Sequence, residues 1–381
     1  MQPCLNQSVD LDQLAKDIKN IHRETLLRIN KNDFSHLLQL ERWGRLCTIF
    51  GYATAWIAPN PVSALLISQG IFTRWSQLTH PISHGAYDKI TNVPNRYKRK
   101  GYAKGWRRWV DWVDWINPQG WHQEHNVLHH YHLGETNDPD QLQTNSSWLR
   151  NSKYPLWLRY SLVALFACIW KPAYYARATI EELYILKLKK RGEPRPHISF
   201  IDSINPFSSV GRLLWVNSLC PYIIIRFIIF PLLFLPLGEV AVTYVFINSV
   251  LAEVFTNLHS FVVIIPNHAG DDIPLFNNRP KKQGEFYLRQ IIGSVNYPSN
   301  SNLNDFFYGW LNYQIEHHLW PDIPLSQYHL VQTPLQQICK KHKINYCQES
   351  VFLRLKKAIN IMVGTTSMLK ETPQLKQQTL K

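Results

Sequence analysis

The chain passes from amphipathic patterning into long apolar runs and back again. Leu11, Leu14, Ile18 and Ile21 recur at helical spacing behind Asp10, a residue suited to capping, and the stripe weakens at Thr25. Asp33 is placed to cap a second helix carrying Leu37, Leu38 and Trp43. Residues 8–42 thus read as a two-helix arm, solvated or resting on a membrane, within an N-terminal cytosolic unit spanning 1–45. The pattern then turns apolar. Residues 46–58 and 62–79 flank Pro59-Asn60-Pro61 and predict a transmembrane hairpin, although each is short of the about 20 residues that an isolated span needs. Residues 214–236 and 240–266 form a second apolar pair around the turn Leu237-Gly238-Glu239, despite Arg226.

Between the pairs, residues 89–108 are strongly basic, and Trp106, Trp109, Trp112 and Trp115 follow at intervals of three. They predict an interfacial helix ended by Pro118-Gln119-Gly120. An apolar run from Leu162 to Trp170 lies within 155–182. Residues 279–306 read as a polar loop, and the chain from Leu325 as a cytosolic cap with a tail over 346–381. Neither hairpin turn holds Lys or Arg, whereas the basic stretch adjoins a span, which puts that stretch on the cytosolic side. If all the histidine groups are to share that side, an even number of crossings separates them, so the run at 155–182 lies in the interface or re-enters. The expected fold is an all-α integral membrane protein: four transmembrane helices in two hairpins, interfacial helices and a cytosolic cap.

Composition sharpens this picture. Among 381 residues there are 14 Trp, and aromatics reach 13%, which suits a membrane–water interface. The net charge of +14 flanks apolar spans without any nucleic-acid recognition motif, so lipid headgroups are its partner and nucleic acid is excluded. Six scattered cysteines, Cys4, Cys47, Cys168, Cys220, Cys339 and Cys347, form no C-x-x-C pair. Cys47, Cys168 and Cys220 sit in apolar runs and read as small core residues. The polar N-terminus gives no cleavable signal peptide.

Candidate chemistry lies in the histidines. His80 and His84 stand at i and i+4, one helical face, where the second span ends. His125, His129 and His130 place two imidazoles on one face and a third about 100° round. A bland core helix rarely carries so many, because each buried ring nitrogen needs a partner. Glu135, Asp138 and Asp140 can hold ring N–H groups from outside, or serve as loop acids around Pro139. His122 and His132 lie close by without a firm role. His268 ends the last span and is favoured over His259, which lies about 13 Å deeper. Gln314, His317 and His318 share one helical face. Imidazoles suit iron, zinc, copper and nickel alike.

H-x3-H, H-x3-H-H and NYQIEHHLWP, interleaved with paired spans, resemble the histidine boxes of the membrane fatty acid desaturase superfamily over about residues 46–345. The third box resembles the front-end type, in which Gln replaces its first histidine. The resemblance implies two iron ions near the membrane face and O2 as co-substrate. It implies ligation by His80, His84, His125, His129, His130, His268, His317 and His318, with Gln314 at the substituted position. A fatty acyl lipid or acyl thioester is the implied substrate, held in a narrow tunnel. The second box has one more residue than front-end members usually show. No H-P-G-G haem motif occurs in the sequence, so the implied electron donor is a separate ferredoxin or cytochrome b5 type protein, drawn to the basic face. Related scaffolds hydroxylate lipids or sterols, the alternative reading; a metal transporter would line its spans with ionisable groups. A bacterial inner membrane is favoured over endoplasmic reticulum, with both termini and the metal site cytosolic.

Overall fold

The computed structural model describes residues 9–299 and 301–370, whose regular structure is helical, with isolated β-bridges and connecting turns; Cys4 and residues 371–381 lie outside them. The first helix, α1 (Leu11–Arg28), is capped by the Asp10 carboxylate, which accepts from the backbone of Asp12 and Gln13. Its buried stripe continues through Thr25, because the hydroxyl donates to the Ile21 carbonyl at 2.8 Å. The apolar stripe of this helix is packed against the rest of the chain. Leu11, Leu14 and Ile18 share a core with Leu288, Ile291, Tyr328 and Leu335.

Helix α2 (Lys31–Ala55) starts at Asn30, not Asp33. Asp33 sits three residues in and accepts from the Asn30 backbone N–H at 2.8 Å, completing a reciprocal cap. This helix is continuous across residue 45, so arm and first apolar run are one rod. The next, α3, runs through Pro61–Phe72, a π segment Thr73–Thr79, and His80–His84. The π segment exists because Pro81 has no N–H to continue the ladder. The His80 N–H instead reaches Trp75, five residues back. The same device precedes Pro221 and Pro231, where Cys220 bonds Trp215 and Phe230 bonds Ile225. An apolar segment with two internal prolines therefore stays helical from Ser209 to Leu232.

Two stretches, 200–237 and 239–268, are long and apolar enough to cross a membrane. The α2–α3 pair is not among them. Its tip docks beside Asn248, whose side chain accepts from the Asn60 N–H at 2.9 Å and donates to the Ala55 and Ala58 carbonyls. Asn248 lies nine residues into the helix Glu239–Ile264, so this pair ends about 14 Å short of the other pair's turn. Helices α2 and α3 approach closely because glycine lines their contact. A Cβ on Gly51 would sit 2.9 Å from the Ile67 backbone nitrogen and 3.1 Å from the Ser63 carbonyl. Cys47 and Cys168 are half-buried and Cys220 is exposed, so none of the three is core.

Other segments depart from their sequence patterns. The tryptophans at 106–115 lie on short turns, because the Asp111 carboxylate accepts from Ala103 N–H and Arg107, and Asp114 accepts from Ile116 N–H. Acid side chains there compete with helical bonding. Trp112 and Trp115 are buried; Trp106 and Trp109 are exposed. Pro118-Gln119-Gly120 opens a helix instead of closing one, with Asn117 as cap and Pro118 in the first turn. Leu156–Cys168 forms a short apolar helix of 13 residues, spanning about 20 Å, and the chain breaks at Ile169 before a π segment over Lys171–Tyr175. The polar stretch 279–306 contains helix Gln283–Ile292, and the tail contains helix Val351–Val363, which buries Ala358, Ile361 and Met362. Substituting Gly51→Val should overpack the α2–α3 contact and cost about 1–3 kcal/mol. Thermal unfolding of the detergent-solubilised protein would read this as a lowered midpoint, and an unchanged midpoint would refute the packing role.

Candidate metal centre

The second histidine box is not α-helical. From Asn117 the chain runs through Pro118–Trp121 into a π segment, His122–His129, then His130–His132, and the His130 N–H reaches back to the His125 carbonyl. An i to i+5 ladder widens the turn by about one residue, so His125 and His130 come to one side, their ring centroids 4.9 Å apart. An α-helix would have rotated the added residue's neighbours by about 100°.

Eight imidazoles from four segments meet in two adjoining groups. His80, His84, His125, His130 and His317 offer nitrogens within 4.8 Å of one another, and so do His129, His268 and His318. The rings of His130 and His318 stack across the two groups at 4.4 Å. Gln314 joins the smaller group, its Nε2 lying 2.8 Å from the His268 Nε2. Its Oε1 accepts from Asn267 Nδ2 at 3.1 Å, and Asn267 also donates to the Leu311 carbonyl. Gln314 therefore turns its amide NH2, not its oxygen, towards His268. His259 lies outside, bonded to the Phe307 carbonyl at 2.7 Å and against the Phe72 ring. His122 contacts Asn126, and His132 bonds Glu135 at 2.8 Å; neither belongs to a group.

Outer partners hold the rings by one nitrogen and leave the other inward. His129 Nδ1–H donates to Asp138 at 2.9 Å, His268 Nδ1–H to the Gly293 carbonyl at 3.0 Å, and His318 Nδ1–H to Gln290 Oε1 at 2.9 Å. His317 Nδ1 meets the Tyr328 hydroxyl at 3.0 Å. The inward Nε2 atoms of His84, His130, His317 and His318 are buried with no protein partner. Unpartnered buried imidazole nitrogens are costly unless something takes their lone pairs, and a divalent metal does so. The donor set fits such an ion. Glu316, in the third box, is held by Asn296 at 2.7 Å and Tyr346 at 2.6 Å, while the Ile315 N–H donates to Asn296.

Burial pushes His84, His125, His130, His317 and His318 well below the ordinary imidazole range, and the neighbouring imidazoles push the same way. Burial would also lower His129, but Asp138 and then Asp140 outweigh it and raise that ring. Burial lifts Glu316 to about 7 against the bonds from Tyr346 and Asn296. Glu124, buried next to His125, is raised well above the carboxylate range by burial and by Asp140. His84, His125, His130, His317 and His318 are thus held neutral, the form that ligates metal, whereas His129 is drawn towards its protonated form by its carboxylates.

One side of the cluster opens into an apolar cavity. His80, His125, His129, His268 and Gln314 form its inner end, with Trp75, Trp121 and Trp170 beside them and Leu162, Val163 and Phe166 further along. Trp75, Trp121, Trp170 and Tyr175 pack edge to face or tilted at 5.0–6.1 Å. Lys171 lies behind Trp75, fully buried and paired with Asp114 at 2.6 Å. Asp138, from the acids singled out by sequence, does hold a ring; Asp140 lies 3.8 Å from His129 and Glu135 serves His132. Gln290, Tyr328, Asn267 and Gly293 were not legible as site residues. Gln290 and Gly293 come from a stretch read as loop, Tyr328 from the cap, and Asn267 directly precedes His268; a lone Gln, Asn or Tyr carries no spacing signal.

The match to known proteins agrees with this geometry. Residues 54–350 match the family model described as fatty acid desaturase, and the chain belongs to that family of oxidoreductases. It is 23% identical over 363 residues, 92% of this chain and 77% of the relative, to the NADPH-dependent stearoyl-CoA 9-desaturase of Mycobacterium tuberculosis. It is 22% identical over 344 residues, 87% and 84% of the two chains, to the sn-1 linoleoyl-lipid 6-desaturase of Arthrospira platensis. The acyl-lipid (8-3)-desaturase of Mortierella alpina is 21% identical over 338 residues, 82% and 69% of the two chains.

Asp138→Asn should weaken metal retention about 10–100-fold by releasing His129, read as metal content after chelator titration. For the metal-free protein, the five depressed rings are neutral in both states above about pH 6.5, the unfolded imidazole value. Below it the unfolded chain takes up protons that the buried rings refuse. Stability should therefore fall with pH below about 6.5, by up to about 1.4 kcal/mol per pH unit for each such ring. Chemical denaturation between pH 7.5 and 5.5 measures this, and a flat profile would contradict it.

Proposed function

We propose that this protein introduces a double bond into a fatty acyl chain, acyl lipid or acyl thioester, at a centre of two iron ions, using O2 and electrons from a separate donor. The observation that carries the reading is the pair of imidazole groups opening on an apolar cavity. His80, His84, His125, His130 and His317 would hold one iron, and His129, His268 and His318 the other. Gln314 is the ninth ligand only if its amide turns and gives up the Asn267 bond. Iron supplies what the chemistry needs, an oxidant made from O2 able to remove hydrogen from an unactivated methylene.

The protein's own part is placement. Leu162, Val163 and Phe166 hold an extended chain, the aromatic group around Trp75 excludes water, and the inner end sets two neighbouring methylenes against the rings. Asp138, Gln290 and Tyr328 keep the imidazoles aimed inward. No side chain is needed as an acid–base catalyst on the substrate. The exposed Lys89, Arg96, Arg99, Lys100 and Lys104 suit an acidic ferredoxin or cytochrome b5 type donor. The Mycobacterium relative is NADPH-dependent by name; here the donor is read as a separate protein.

In the membrane, the reading is a multi-pass protein with four crossings in two hairpins. The absence of Lys and Arg from both hairpin turns supports cytosolic termini and a cytosolic metal site, in a bacterial inner membrane. The domain division follows: an arm over 1–45, a desaturase domain over 46–345 and a tail from 346, although helix α2 runs across the first boundary.

The test is the lipid profile of a host expressing this chain beside its His317→Ala, His318→Ala variant, by a method that locates double bonds and hydroxyl groups. A new double bond made only by the intact protein is expected, with two irons per chain in the purified protein. A new hydroxyl would replace this reading with hydroxylation, and absence of both product and iron would end the di-iron assignment.

A further inference from the structure

The cavity that leads to the histidines reaches the surface at Asn145 and Trp148, the exposed members of its lining. Trp148 is 62% exposed and lies beside an apolar, aromatic surface made by Tyr154, Leu156, Trp157 (69%), Tyr160 and Leu165 (61%). Water-facing helices do not carry such a surface, and Trp and Tyr mark the depth where hydrocarbon meets headgroups. The short helix Leu156–Cys168 belongs to both features: Leu162, Val163 and Phe166 face the cavity, and Trp157 and Leu165 face outwards. A single wall therefore separates cavity from surroundings, and the mouth lies at its end.

The charges at this mouth are as informative. The cavity lining contains no Lys or Arg, and its carboxylate is Asp140. Two arginines stand close by, and both are committed to backbone carbonyls. Arg150 donates to Ile361, to Thr366 at 3.1 Å and to Ser367 Oγ at 3.0 Å. Arg159 donates to Tyr154 at 2.9 Å, to Arg150 at 3.0 Å, to Val363 at 2.9 Å and to Ser152. They close the C-terminal end of helix Val351–Val363, whose last carbonyls have no helical partner. Arg354 and Lys357, on the same helix, are paired with Asp272 and Glu349. Among the described residues, two single amines remain exposed near this rim: Lys153, next to Tyr154, and Lys370, two residues beyond Met368, whose N–H donates to Gln143 Oε1 at 2.8 Å.

From this we infer that the acyl chain enters sideways from the bilayer while still esterified in a membrane glycerolipid, and not as a CoA-type thioester delivered from water. This rests on the desaturase reading and names its substrate class. A CoA carries several phosphates, and their recognition calls for a cluster of free cations, with Arg forks above all. A glycerolipid needs an apolar opening at hydrocarbon depth and room for one headgroup at the rim, and the mouth provides these. Lateral entry also keeps the chain out of water throughout transfer.

The experiment follows a pulse of labelled fatty acid in a host expressing the full chain, separating glycerolipid-bound from thioester-bound acyl groups at short times. The expected result is that the new double bond appears first in the glycerolipid pool. First appearance in the thioester pool would overturn the inference and leave desaturation standing. No new double bond in either pool would remove the desaturase reading and this one with it. A second arm uses Trp148→Glu and Trp148→Phe. The charged variant should slow product formation at least several-fold at unchanged iron content, and the aromatic variant should restore it. Equal rates for all three proteins would show that the mouth lies elsewhere.

Discussion

Eight imidazoles packed within one dry cluster form the constraint on which the structure depends. A buried ring nitrogen without a partner is unfavourable, and this cluster holds many in contact. The protein resolves half of the problem itself, by giving His129, His268, His317 and His318 an outer partner each. That choice selects which nitrogen faces inward and holds the ring plane. The remaining inward nitrogens suit an ion, whose binding would link folding around the site to loading it.

Much of the architecture serves to aim those rings. Prolines at 81, 221 and 231 are tolerated because a π turn supplies a bond five residues back, and a π turn without proline lets His125 join His130. The cap is no accessory. Helix Gln283–Ile292 brings Gln290 to His318, and Tyr328 reaches His317 from the start of the next helix. Helix α1 in turn packs against both. Glu316 and Asn296 hold the third box from behind, and Tyr346 completes that contact from beyond the region of repeated patterning. The result is an ordered shell around a centre that otherwise would be five or more mutually avoiding bases.

The cavity shows the same division of labour. Its walls come from an apolar helix that also faces outwards, and its inner end from the histidines and a buried aromatic group. Lys171 and Asp114, both fully enclosed, tie the start of one helix to the loop that carries Trp112 and Trp115. Truncating either partner would leave an unpaired buried charge, so this pair fixes the position of the Trp75 wall.

Much of this was legible in the chain alone, because short-range physics writes it there. Apolar runs marked the long helices, Asp10 its helix start, and histidine spacing the boxes that meet in space. Family resemblance rests on those same boxes, which local sequence carries intact. Tertiary structure decided the rest, and for physical reasons. The π turns that set the ring directions depend on packing that overrides α-helical periodicity. The ends of Asp111 and Asp114 broke a tryptophan helix by taking its backbone N–H groups. Gln290 and Tyr328 acquire their roles only through proximity, since a single amide or phenol has no pattern until the chain folds it against an imidazole. The boxes named the chemistry, whereas the division into five rings and three, and the dry path leading to them, exist only in the packed molecule.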